Sequence, residues 1–142
     1  MSRSRSSGRR PSKGEPYLER PLDPRVGRGR AAEQAAVELL EEAGFRILAR
    51  NVSLAGAEVD IVAGDGEELV FVEVRSRSQN RFGGPLSTIR AGKQARIARA
   101  AQAYLGRTGR PDAPARFDVV GVEWCDGRPR CTHLRGAFES PW

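Results

Sequence analysis

Long apolar runs are missing from this 142-residue chain. No stretch approaches the ~20 residues that span a bilayer, which excludes an integral membrane protein built of helices. The basic N-terminus is followed by no apolar stretch, so no secretory signal is expected and the cytoplasm is the expected location. Cysteine is nearly absent. Cys125 and Cys131 flank Asp126-Gly127-Arg128-Pro129 and can face each other across a hairpin, but without a secretion signal reduced thiols are the expectation. Two cysteines at that spacing do not make a zinc site. His133 is the single histidine, and with no second histidine beside it a strand-end surface or packing role is expected rather than that of a catalytic base. There is no phosphate-cradling glycine loop: Gly64-Asp65-Gly66 and Gly83-Gly84-Pro85 read as turns. Lysine is scarce too, since only Lys13 and Lys93 accompany 22 arginines among the 24 basic residues.

What is present is enough for one domain. The hydrophobic fraction of 39% and charged fraction of 30% are those of a globular chain. The net charge of +6 suggests a nucleic-acid partner, but all of it falls in residues 1–30, with nine basic and three acidic side chains. The neutral remainder is sharply divided. Residues 31–74 carry two Arg and ten Asp or Glu, whereas residues 75–116 carry ten basic residues and the single acid Asp112. Carboxylates that hold a cation beside cations that hold phosphates suit a metal-dependent phosphodiesterase. The alternative is a pair of solvated charged faces.

Residues 1–27, rich in Ser, Arg, Gly and Pro, read as a disordered basic tail, and residues 28–142 as one domain. From Gly29 the pattern is helical up to Gly44, with Ala36, Val37 and Leu40 as the apolar stripe. Glu33 shares that stripe, which makes it either a partner of the helix N-terminus or a member of an internal polar site. Strands follow at Phe45–Val52, Ala57–Ala63 and Leu69–Arg77. A loop over residues 78–86 leads to a helix from Ser87 or Thr88 to Leu105, stopped by Gly106. Phe117–Trp124 and a segment near Arg130–Leu134 complete an αβββαβ(β) order, an α/β layered domain with helices flanking a mixed sheet.

A turn centred on Asp65-Gly66 sets Glu58 opposite Glu73 and Asp60 opposite Phe71, with Asp60 and Glu73 as diagonal neighbours ~7–8 Å apart. Acids placed beside Val62, Leu69 and Phe71 repel one another and lose solvation, a conflict that a divalent cation removes. The plainer alternative is a hairpin with one face in water.

Asp60 followed by Glu73-Val74-Arg75 resembles the PD-(D/E)xK nuclease signature, with Arg75 at the lysine position. The fuller string of Glu33, Asn51, Glu58-Val-Asp60, Val70-Phe-Val-Glu73-Val-Arg75, Arg77, Phe82-Gly83, Lys93, Tyr104, Arg116-Phe-Asp118 and Ala137-Phe138 resembles the UPF0102 (YraN-like) family over residues 27–138. That family is similar in fold to restriction endonucleases and archaeal Holliday junction resolvases. The resemblance implies a restriction-endonuclease-like α/β core and a catalytic set of Glu33, Asp60, Glu73 and Arg75. Mg²⁺ or Mn²⁺ is accordingly expected to be held by Asp60 and Glu73, helped by Glu33 and by Glu58 from the shared strand face. An arginine with a pKa above 12 cannot act as a base, so Arg75 supplies charge and hydrogen bonds only, while Lys93 offers an ammonium from the next helix. A basic surface of Arg77, Arg81, Arg90, Lys93, Arg96 and Arg99 suits the phosphate backbone, with DNA expected over RNA. A resolvase-like activity requires a homodimer. Two other readings stand beside the nuclease: a nucleic-acid-binding module that keeps the fold without cutting, and a protein-interaction domain.

Overall fold

The computed structural model describes the backbone of residues 24–78 and 89–139, and the side chains of residues 29–76 and 89–139. The tail up to residue 23, the loop with Arg81 and Phe82-Gly83, and Trp142 lie outside the described residues; Arg77 lies in a strand with its side chain outside them. The elements are α1 (Pro24–Glu42), β1 (Arg46–Leu54), β2 (Ala57–Asp65), β3 (Glu68–Ser78), α2 (Ala91–Arg107), β4 (Ala115–Cys125) and β5 (Arg128–Phe138). They form an α/β structure with one five-stranded mixed sheet, ordered β1-β2-β3-β4-β5. Every neighbouring pair is antiparallel except β3 and β4, which run parallel because α2 carries the chain back between them.

The two helices lie on opposite faces of the sheet, and each closes its own core. Ala36, Val37 and Leu40 of α1 pack on Ile61, Ala63, Val70, Val72, Val120 and Val122. Ile97, Ala98, Ala101 and Leu105 of α2 pack on Val62, Leu69, Phe71 and Phe117. Leu69, Val70, Phe71 and Val72 are consecutive and all buried, as a strand covered on both faces requires. The apolar stripe expected for α1 is the buried one, and Glu38, Glu41 and Glu42 stand in solvent.

Four local expectations change. Helix α1 begins at Pro24 rather than near Gly29, because the fixed φ of proline suits a first helical position. Glu33 therefore stands in the middle of a 19-residue helix, too far from its start to answer the helix dipole. Helix α2 passes through Gly106 and ends at Arg107, capped by Thr108, whose hydroxyl donates to the Tyr104 carbonyl at 2.8 Å. The third change is in the β2–β3 hairpin, which pairs Asp65 with Glu68 and turns on Gly66-Glu67. Gly66 takes φ 64°, the positive value that a two-residue turn asks of its first central residue. This moves the register by two, so that Ile61 faces Val72 and Asp60 comes level with Glu73 instead of with Phe71. Last, Asp126 and Gly127, with φ 53° and 78°, make a tight two-residue turn that sets Val122 opposite Cys131. The two cysteines are out of register for a disulfide, and both are free.

One buried polar cluster went unforeseen. Asp118, 1% exposed, accepts from Arg116 Nε at 2.9 Å, Arg116 Nη2 at 3.1 Å and the Gly136 amide at 3.0 Å. His133 Nε2 lies 2.8 Å from its Oδ2. Arg116 also reaches Asp65 at 3.2 Å and Glu68 at 2.9 Å, beside the β2–β3 turn. His133 thus lies inside a packed network, edge-on to Phe45 at 5.5 Å, and not at a strand-end surface. Burial alone would raise the Asp118 carboxyl, but the bonds from His133, Arg116 and Gly136 outweigh it and hold the group below the usual range.

Candidate active site

Three departures from regular structure converge at Asp60. Asn51 lies on β1 between Arg50, which pairs with Ile61, and Val52, which pairs with Val59, so it stands level with Asp60. It takes φ 54°, a left-handed conformation that asparagine tolerates better than most residues. The alternation of β2 breaks at the same place: Val59 and Val62 both join the α2-side core, whereas Ile61 joins the α1-side core. The single shared face expected for Glu58, Asp60 and Val62 is lost for that reason. On the other side the β2–β3 ladder ends at Ile61 and Val72, and the Val74 amide donates to Asp60 Oδ2 at 2.8 Å. The strands part here, and the carboxylate fills the gap.

Asp60 therefore opens onto two clefts. One, about 450 Å³, is lined by Arg30, Glu33, Asn51, Asp60, Val74 and Ser76. Glu33, with a side chain 14% exposed, is held there by Asn51 Nδ2 at 3.0 Å and Arg50 Nη2 at 3.1 Å. The other, about 420 Å³, is lined by Glu58, Asp60, Glu73, Lys93, Arg96 and Ile97. In it Lys93 Nζ lies 2.5 Å from Glu73 Oε2. Glu58 is exposed at the same cleft. A third cleft adjoins it and holds Glu73, Arg75, Arg90, Lys93 and Arg96. Arg99 belongs to neither; it borders a more apolar groove with Ala95, Ala98 and Phe138.

Burial is the main reason that the Asp60 carboxyl is pushed up to about 7, and the nearby Glu73 and Glu33 charges add to it. The Val74 amide and Lys93 pull the other way without restoring an ordinary acid. A destabilised carboxylate beside a second one fits a hard divalent cation, which would favour the charged form of both. Among the described residues, no three side chains of His, Cys, Asp or Glu converge closely enough to hold a metal ion by themselves. Mg²⁺ does not need three, since it keeps several waters and is commonly bound by one or two carboxylates plus substrate phosphate. Asp60 and Glu73 meet that requirement, and their oxygens are the donors such an ion prefers.

The residues that sequence reasoning grouped as catalytic are thus partly assembled. Asp60 and Glu73 share one cleft, Glu33 and Asp60 line another, and Arg75 lines a third with Glu73. Asn51 was noticed only as part of a resemblance. Its value as a left-handed pivot had one sequence signal, an asparagine interrupting a β-rich segment.

Comparison with known proteins gives a consistent result. The model of the uncharacterised protein family UPF0102 matches residues 32–122. A UPF0102 protein of Symbiobacterium thermophilum is 50% identical over 113 residues, covering 79% of this chain and 96% of the relative. Another from Dechloromonas aromatica is 48% identical over 101 residues, covering 71% and 82%. One from Bordetella avium is 45% identical over 119 residues, covering 84% and 79%.

Proposed function

This chain belongs to the UPF0102 family, and from the site it carries we propose that it is a metal-dependent phosphodiesterase acting on nucleic acid, an endonuclease-like enzyme of the PD-(D/E)xK type. The observation that carries this reading is the pair Asp60 and Glu73, each one residue beyond the last β2–β3 pair Ile61–Val72 and opening into one cleft with Lys93 and Arg96. Bound Mg²⁺ or Mn²⁺ would supply Lewis acidity and a water of lowered pKa. Asp60 and Glu73 would hold the ion, with Glu58 at the cleft edge, and Glu33 would set the charge around Asp60. Arg75, Arg90 and Arg96 would hold phosphates beside the reacting one, and Arg77, Arg81 and Arg99 would extend that contact along the backbone. Contacts of this kind recognise phosphate rather than base, so selection rests on the shape of the nucleic acid; DNA, and branched DNA first, is the proposed substrate. No described helix is long and apolar enough to cross a membrane. The cytoplasm, where such DNA lies, is the proposed location, and a homodimer is the proposed form for a junction substrate.

The test is a cleavage panel of linear, flapped and four-way-junction DNA in Mg²⁺ and Mn²⁺. The wild type is expected to cut at least one substrate and Asp60→Ala none. If the wild type cuts none of them, the catalytic reading fails. A specific observation favours a second reading, a nucleic-acid-binding module without cleavage: Arg75, at the lysine position of the pattern, does not line the Asp60 cleft. Salt-sensitive DNA retention with no cutting, unchanged in Arg75→Lys, would select that reading.

A further inference from the structure

We infer that Lys93, not Arg75, supplies the cationic group of the Asp60–Glu73 centre. This rests on the phosphodiesterase reading above and names the residue that completes it. The sequence pattern places the cation two residues after the second acid, on the same strand. In the structure that residue, Arg75, lines the neighbouring cleft with Glu73, Arg90 and Gly92 and is absent from the lining of the cleft that Asp60 and Glu73 share. Lys93 lines both. Its Nζ lies 2.5 Å from Glu73 Oε2, and its charge is felt by Asp60.

The topology explains the substitution. Helix α2 is the crossover from β3 to β4, and Lys93 is its third residue. It comes over Glu73 from the solvent side, with its own side chain 46% exposed and that of Glu73 13%. Lysine is also chemically apt. Its ammonium is a compact point charge with three rotatable donors on a flexible stem, whereas the guanidinium is planar and fixed in its fork. A short pivot of that stem takes Nζ from Glu73 to an oxygen of a phosphate lying between the two clefts. In hydrolysis the attacking water's oxygen bonds to phosphorus and the P–O bond to the departing sugar oxygen breaks. The water's hydroxyl ends on phosphorus and its other proton on the leaving oxygen. Lys93 stays protonated throughout and stabilises charge on the non-bridging oxygens.

Two measurements test this, one of them independent of cutting. Mn²⁺ alone is titrated into metal-free wild type, Lys93→Met, Arg75→Met and Asp60→Ala. Lys93→Met is expected to bind at least about fivefold more tightly, because a positive charge a few ångströms from the ion is gone. Arg75→Met should change by less than about twofold and Asp60→Ala should lose binding. Nicking of supercoiled plasmid in Mn²⁺ should fall by about a hundredfold or more in Lys93→Met and by much less in Arg75→Met. Lys93→Cys alkylated with 2-bromoethylamine, which rebuilds an ammonium, should recover activity; wild type treated in parallel controls for Cys125 and Cys131. Lys93→Gln carries the same expectations if Lys93→Met fails to fold. Tighter Mn²⁺ binding in Arg75→Met with none in Lys93→Met overturns the inference, as does undiminished nicking by Lys93→Met. A wild type that nicks nothing sinks the phosphodiesterase reading, while the Mn²⁺ titration still decides between Lys93 and Arg75.

Discussion

Val74 donates its main-chain N–H to Asp60 Oδ2 at 2.8 Å, at the point where the β2–β3 ladder has ended. One bond thereby joins the parting of two strands to the orientation of the acid between them. It also favours the charged form of a carboxyl that its surroundings push toward the neutral one.

That opposition predicts an unusual pH dependence. Burial chiefly, then Glu73 and Glu33, raise Asp60 from 3.8 to about 7, so the folded protein holds a proton that the unfolded chain releases. Below pH 4 the group costs nothing. From there to about pH 7 stability falls, by on the order of a few kcal/mol. In metal-free protein, Asp60→Asn should therefore melt higher than wild type at pH 8, with the gap closing by pH 4. Carbon-detected NMR should show Asp60 titrating lower in Glu73→Gln and Glu33→Gln. A flat difference between the two melting curves across that range would refute the assignment.

A divalent cation should reverse this penalty. At pH 7.5, Mn²⁺ at about a hundred times its Kd should stabilise the wild type by roughly 2.7 kcal/mol. Asp60→Asn should gain almost nothing. Equal gains in calorimetry would place the ion elsewhere.

At Asn51 the backbone and the side chain make separable contributions. Asn51→Gly keeps the φ of 54° at no steric cost but removes the bond to Glu33, whereas Asn51→Ala removes the bond and strains the backbone as well. Urea denaturation should find the alanine variant less stable than the glycine variant by about 1 kcal/mol. If alanine is the more stable of the two, the bend in β1 is not held by this residue.

Asp118 should act as a buried staple. Its removal leaves Arg116 with only Asp65 and Glu68 and takes the acceptor from His133 and the Gly136 amide, so Asp118→Ala should lose about 1–3 kcal/mol and Asp118→Asn less. The sign of its pH dependence is opposite to that of Asp60. The carboxyl is held below 3.8, so the stabilisation is complete above that value and is lost as pH falls through the lower folded value. Acid unfolding should begin at higher pH in Asp118→Asn, as followed by circular dichroism.

Much of the fold was legible because it depends on local pattern. The stripe Ala36, Val37 and Leu40 identifies α1 and the side it buries, and the apolar run that opens at Leu69 identifies β3. Turn geometry was less legible. Asp65-Gly66 and Gly66-Glu67 are both plausible turn centres by composition, and they differ by two residues in register. The choice decided which acid of β2, Glu58 or Asp60, comes nearest to the register of Glu73.

By itself, the sequence determined the order of elements, the buried stripe of α1 and the identity of the acids, because periodicity and turn residues act over a few positions. Only the tertiary structure decided which of the acids meet. A helix, a broken ladder and a left-handed asparagine that no local pattern relates set Asp60 between one cleft shared with Glu33 and another shared with Glu73. It also brought to Glu73 a cation that the strand pattern does not predict: the crossover helix α2 lays Lys93 over it, and the distance that governs charge is the one through space.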